Sequence, residues 1–189
     1  MSTMDDARRA TLRDGTRILI RPVRADDREA LRESFERLSP ESRYRRFLAP
    51  MAHLSESQLT YLTQVDHHDH EALVALSEDD GEGLGIARFV RLADPDAAEV
   101  AVAVADTLQG RGLGTVLLAH LLARARQEGI ERFTATVLAD NRGSLEVLST
   151  LGRTSVGPPQ DGSVELTIDL LDEDDPDAAL AAVLRAAAS

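Results

Sequence analysis

The spacing of apolar residues changes several times along the chain, and each change marks an element. Arg17-Ile18-Leu19-Ile20-Arg21-Pro22-Val23 is a β-branched run closed by proline and predicts a strand. Over 27–38, Ala30, Leu31, Phe35 and Leu38 recur at helical spacing, with Asp26 as the candidate cap and Pro40 as the stop. Ser39-Pro40-Glu41 opens a second helix, expected to turn Tyr44, Phe47 and Leu48 inward and to leave Arg43, Arg45 and Arg46 in water. A third follows Ser55 over 56–64. The period then shortens: 72–76 and 85–90 are apolar runs split by the acidic, glycine-containing stretch 78–83, a hairpin signal. Over 97–105, Val100, Val102 and Val104 alternate with alanines and lead directly into a glycine-rich segment. Helical spacing returns over 113–128 through Leu113, Val116, Leu117, Leu121 and Leu122, and Gly129 ends it. A strand over 133–138, a helix over 141–151 ending at Gly152, and a last strand over 163–171 after Gly157-Pro158-Pro159 complete an α/β half with a right-handed crossover.

A length of 189 residues suits one domain, expected over 14–171, with a polar arm over 1–13 and, over 172–189, an acidic linker and an alanine-rich tail helix. With no cysteine, disulfides, thiolate nucleophiles and thiolate-bound zinc are excluded. A net charge of -12 disfavours nucleic acid as a partner, because a phosphate backbone is bound through basic excess. There is neither a secretory signal nor an apolar run of membrane length, so a cytoplasmic protein without a membrane partner is expected. His67-His68-Asp69-His70 lacks a distant fourth ligand and reads as a polar surface turn, so no metal is expected.

The chemistry concentrates in Gln109-Gly110-Arg111-Gly112-Leu113-Gly114-Thr115. Three alternate glycines between a valine-rich strand and an amphipathic helix let several backbone N–H groups turn toward one point. With the positive helix end behind them they form a cradle for a diphosphate, to which Arg111 adds charge if it turns inward. A Walker loop needs a lysine, and all 21 basic residues here are arginine. The dinucleotide fingerprint fails as well, since its last glycine position holds Thr115.

These residues resemble the GNAT superfamily, whose signature of Gln or Arg, two residues, Gly, one residue, then Gly or Ala is matched by Gln109, Gly112 and Gly114. A second signature, an Asn-containing helix closing on Leu-Gly, is matched by Asn141 through Leu151-Gly152. The resemblance implies a mixed central sheet of about six or seven strands flanked by helices, with acetyl-CoA as co-substrate. It extends over 38–47 and 65–75 to the acetyltransferase domain of bacterial protein-lysine acetyltransferases of the Pat type. That implies an amine acceptor, with a protein lysine first and a small amine second, and a homodimer is also expected. A non-catalytic acetyl-CoA-binding sensor is the competing reading.

By the same resemblance, a local bulge in the valine-rich strand presents the Val104 N–H to the acetyl carbonyl, and Val102 lines the pantetheine path. Asn141 contacts the pantetheine arm, although an Asn there is equally a helix cap. A lysine amine, with a pKa of ~10.4, must lose a proton before it attacks. Glu99 is the candidate base, in a buried setting that would tune it, against the alternative of a solvated glutamate at a strand start. Many relatives place an acid tyrosine where this chain has Leu148.

Overall fold

The computed structural model describes residues 7–170 and 181. In chain order the elements are β1 (Arg8–Thr11), β2 (Arg17–Pro22), α1 (Arg28–Arg37), α2 (Pro40–Phe47), α3 (Glu56–Thr63), β3 (His70–Ser77), β4 (Gly83–Arg91), β5 (Ala97–Val104), α4 (Leu113–Gln127), β6 (Arg132–Leu138), α5 (Arg142–Ser149), β7 (Gly152–Val156) and β8 (Ser163–Leu170). The strands form one mixed sheet in the order β1-β2-β3-β4-β5-β6-β8-β7. Its eight strands exceed the expected six or seven at both edges. Within the polar arm, Arg8–Thr11 pairs antiparallel with β2. After α5, the glycine expected only to end a helix begins β7, because a Cβ on Gly152 would lie 1.9 Å from the Asp169 carbonyl oxygen of β8. The acidic linker and tail helix expected over 172–189 lie outside the described residues, residue 181 apart.

One face of the sheet is covered by α4, whose Leu113, Leu117, Leu118, Leu121 and Leu122 join Phe89, Phe133 and Ile168 in the main core. The helix begins after Gly112 at φ 90 and stops before Gly129 at φ 75, the left-handed region that favours glycine. The other face carries α1–α3, which enclose a smaller cluster of Phe35, Leu54, Leu59 and Leu62. Here the sequence reading needs correction. Helix α1 starts at Arg28 after a 3-10 turn over Ala25–Asp27, and Asp26 does not cap it. Instead the Asp27 carboxylate accepts from Arg24 N–H at 2.7 Å and from the Arg21 guanidinium at 2.7 and 2.8 Å. In α2, Tyr44 is exposed, whereas Arg43 donates to the carbonyls of Leu38, Glu36 and Ala52. Arg43 thus fastens the end of α1 and the loop between α2 and α3, and is not a solvated charge.

The site is positioned by an interruption in the sheet. Strands β5 and β6 are its one parallel pair and meet over only three rungs, from Ala97↔Arg132 to Glu99↔Thr134. Beyond Glu99 they separate, while β5 stays paired with β4 as far as Val104 and β6 with β8 as far as Leu138.

Candidate functional site

The gap between the separated strands opens into a cleft of about 880 Å³. Ten of the eleven residues singled out from sequence line it: Val102, Val104, Gln109, Gly110, Arg111, Gly112, Leu113, Gly114, Thr115 and Asn141. Glu99 does not.

Strand β5 offers its free backbone edge to this cleft. Ala105 N–H donates to Leu84 O at 2.9 Å, and Ala97 O accepts from Leu92 N–H at 2.9 Å, so the odd-numbered residues turn their backbone toward β4. Val102 and Val104 therefore direct their N–H and C=O groups to the side that β6 has left. No bulge is required: the β4–β5 register is continuous from Gly85↔Val104 to Arg91↔Ala98, contrary to the local irregularity expected in this strand.

The end of the cleft is closed by the start of α4. Its first hydrogen bond runs from Val116 N–H to Gly112 O at 3.1 Å, so the Leu113, Gly114 and Thr115 N–H groups precede any intrahelical partner. No acidic residue stands in this first turn, which leaves the positive helix end without a carboxylate of its own. Gly110 and Gly112 take φ 73 and 90 with open space where a Cβ would project, so it is the turn that requires them. A Cβ at Gly114 would meet Val104 and Val147 at 3.7 and 3.8 Å, ordinary contact, which accounts for a signature that admits Gly or Ala there.

Two cleft side chains, Arg111 and Gln109, have partners that sequence did not reveal. Arg111 forms an ion pair with Asp14 at 2.6 Å and so does not turn inward. The Asp14 carboxyl is lowered to about 2, first by the Thr16 backbone N–H, then by the Thr16 side chain and Arg111. Gln109 Nε2 donates to Ser42 Oγ at 3.0 Å and to Asp106 Oδ1 at 3.1 Å. Asp106 also accepts from Ser39 N–H at 2.8 Å and Ser42 Oγ at 2.6 Å, which ties the start of α2 to the glycine loop. Burial works against its charge, but these bonds keep the Asp106 carboxyl below its ordinary range. Asn141, 7% exposed, caps α5 by accepting from Ser144 N–H at 3.2 Å while its Nδ2 donates to Ser144 Oγ at 2.8 Å.

Leu148 is 2% exposed and belongs to the core. Glu99 is exposed, not buried as expected, and stands at the last rung where β5 and β6 still pair. It lies on the α1–α3 face, in one cross-strand row with Val90 and His70. Among the described residues it makes no hydrogen bond. Arg46, expected in water, lines the cleft and feels the Glu99 charge; burial first, and Arg88 second, push its guanidinium down to about 10. The histidines of 67–70 have separate partners: His67 with Glu71 at 2.8 Å, His68 with Glu128, and His70 against the Tyr61 ring at 4.8 Å.

An open sheet edge, a donor-rich helix start and two signatures meet in one cleft, and comparison with known proteins decides the family. The sequence profile of the acetyltransferase (GNAT) family matches residues 28–152. The chain belongs to this family. It is similar to Acetyltransferase PA5475 of Pseudomonas aeruginosa, 37% identical over 155 residues that cover 81% of this chain and 83% of that protein. Acetyltransferase Pat of Mycolicibacterium smegmatis is 36% identical over 142 residues, covering 75% of this chain and 42% of that longer protein. Among solved structures, the GNAT domain of S. lividans PAT superposes with a TM-score of 0.82 at 36% identity, over 90% of this chain and all (100%) of that domain. This GNAT protein is thus an enzyme, an acetyl-CoA-dependent N-acetyltransferase.

Proposed function

We propose that this GNAT enzyme acetylates protein lysines, holding acetyl-CoA in the β5–β6 gap and receiving the acceptor on the side of Glu99. The observation that carries this reading is the end of β5–β6 pairing at Glu99, after which the Val102 and Val104 N–H groups have no strand partner among the described residues and the edge leads to the start of α4, where Gln109 Nε2 donates to Val104 O at 3.4 Å. The N–H groups of Gly112, Leu113, Gly114 and Thr115 receive the diphosphate, where the fixed partial charge of a helix start suits an anion. Arg111 bounds the loop through Asp14, and Gln109 and Gly110 set its path. Val102 and Asn141 flank the pantetheine arm. The Val104 N–H donates to the acetyl carbonyl and, more strongly, to the oxyanion formed there.

Glu99 accepts the proton of the ammonium, directly or through one water, and the freed amine attacks the carbonyl carbon. As the C–N bond forms, the nitrogen passes its second proton to water, and the C–S bond breaks with the sulfur keeping the electron pair. With Leu148 buried where relatives place an acid, it leaves as thiolate, feasible for a thiol of pKa ~8.5. A protein lysine is placed ahead of small amines because of the similarity to the two Pat proteins. A cytoplasmic location and a homodimer belong to the same reading; a strictly monomeric mass by light scattering at high micromolar concentration would exclude the dimer.

The test has two parts. Calorimetry is expected to show acetyl-CoA binding that Gly112→Trp abolishes while urea unfolding stays cooperative; unchanged affinity removes the diphosphate assignment. Labelled acetyl-CoA offered with lysine peptides, N-terminal peptides, polyamines and aminoglycosides is expected to label the lysine peptides fastest. Preference for a small amine would transfer the enzyme to the second acceptor class.

A further inference from the structure

Six other partly buried arginines of the described chain are matched to carboxylates, Arg21 to Asp27, Arg28 and Arg32 to Glu56, Arg45 to Glu41, Arg91 to Asp69 and Arg124 to Glu71, and Arg43 is held by three backbone carbonyls. Arg46 and Arg88 are not. Both border an apolar pocket between the sheet and α1–α3. Each guanidinium is held only by an aromatic face, Arg46 over Phe47 at 4.8 Å and Arg88 over Tyr61 at 5.1 Å. Nε and Nη1 of Arg88 are buried without a hydrogen-bond partner, and so is Nε2 of His70, whose ring stacks on the same Tyr61.

The acids nearby are already engaged. Asp27, in the same pocket, is taken by Arg21. Asp66 accepts from the N–H groups of His68, Asp69 and His70. Glu71 points to the opposite face, where Arg124 and His67 bind it. That leaves Glu99 as one carboxylate for two cations, in a protein whose net charge is -12. Buried donors without protein partners cost stability, and a carboxylate reaching them would satisfy them.

We propose that Arg46 and Arg88 form a subsite for a carboxylate carried by the amine acceptor, so that the enzyme selects acceptors with an acid group close to the reacting amine. The inference rests on the reading that Glu99 faces that amine. Register supplies the spacing: Arg88 pairs with Ala101, two residues beyond Glu99 on the same face. Such diagonal neighbours lie ~7–8 Å apart at Cα. Amine on Glu99 and carboxylate on the arginines therefore fit one amino acid or two adjacent residues. Burial and the neighbouring Arg88 charge both push His70 toward its neutral form, which leaves the two guanidiniums as the cations of the subsite.

The test uses acceptors that differ only in the acid: a peptide with glutamate beside its lysine against the glutamine twin, and free lysine against lysinamide. Binding to the CoA-loaded protein is read by calorimetry, and kcat/KM in parallel. The acid member of at least one pair is expected to bind about ten- to a hundredfold more tightly, the range for hydrogen bonds to a charged group. That ratio falls to about 1 in Arg88→Met and is partly restored in Arg88→Lys. Which pair shows it tells a flanking side chain from a free α-carboxylate. The melting temperature of Arg88→Met is expected to be no lower than the parent's, since buried unpaired donors have gone; a clear drop would mark a structural arginine and count against the subsite. Should Arg88→Met fail to fold, the same ratio is read in Arg46→Gln. Equal binding of acid and amide in both pairs, or a ratio that survives the substitutions, overturns the proposal. Acid preference in binding without turnover of any amine would preserve the subsite and overturn the transfer reading instead.

Discussion

On one face of the sheet, α4 buries Leu113, Leu117, Leu118, Leu121 and Leu122 completely in a core that continues across β3 to β6. On the other, three short helices close over two smaller clusters, Phe35, Leu54, Leu59 and Leu62 and then Val23, Ala72 and Val74, with polar ties among the segments: Arg21 with Asp27, Arg28 with Thr60, Arg43 with three carbonyls, Asp106 with Ser39 and Ser42. The first face carries the glycine cradle, and the second carries Glu99 and the unmatched arginines. A rigid apolar stripe suits a face that would hold the proposed diphosphate in a fixed place. A face assembled from charges and small clusters can leave two cations unpaired, because its stability is spread over many separate contacts.

Four experiments test this contrast, from the largest expected effect to the smallest. If the reacting groups lie on the helical face, Glu99→Gln lowers turnover by roughly 10²–10⁴-fold with little change in acetyl-CoA affinity. Its pH–rate profile loses the ionisation of the base and keeps only that of the acceptor amine; parental turnover at pH 7 would refute the role. If the α4 face is the denser core, Leu121→Ala costs about 4 kcal/mol in urea unfolding and Leu59→Ala about 2 kcal/mol. Equal losses would erase the distinction. If α2 is held to the glycine loop by Asp106, Asp106→Asn costs about 1 kcal/mol. It also weakens acetyl-CoA binding by several-fold in calorimetry, whereas an effect on stability alone would limit Asp106 to a cap.

The smallest effect concerns Asp14. Because its carboxyl lies at about 2 in the folded chain against an ordinary 3.8, the unfolded state binds the proton first as pH falls. Its contribution is complete above pH 3.8 and lost as the pH drops toward about 2. The parent's urea midpoint should therefore approach that of Asp14→Asn across this window; a constant difference would mean that Thr16 and Arg111 together do not favour the charged carboxylate in the folded chain.

Where the chemistry is local, the chain could be read directly. The Ser39 and Ser55 caps, the stripe of α4 with Gly112 and Gly129 at its ends, and the Asn141 cap depend on residues at most four apart, and the β3–β4 hairpin on the short turn over 78–82. Dihedral preference and side-chain period act at that range. The glycine cradle was legible for the same reason. The strand at β7 was missed because Gly152 looks like any helix stop until β8 lies against it.

The sequence by itself determined most of the elements, the glycine-rich turn before α4 and the family signatures, since each is a statement about neighbours along the chain. Tertiary structure alone decided where β5 and β6 part, that Arg111 goes to Asp14, 97 residues away, and that Gln109 and Asp106 anchor α2. It also decided that Arg46, which sequence places in water, meets Arg88 beside Glu99. The physical reason is the range of the interactions: a guanidinium is solvated or desolvated by whatever the fold brings to it, and local patterning carries no record of that partner.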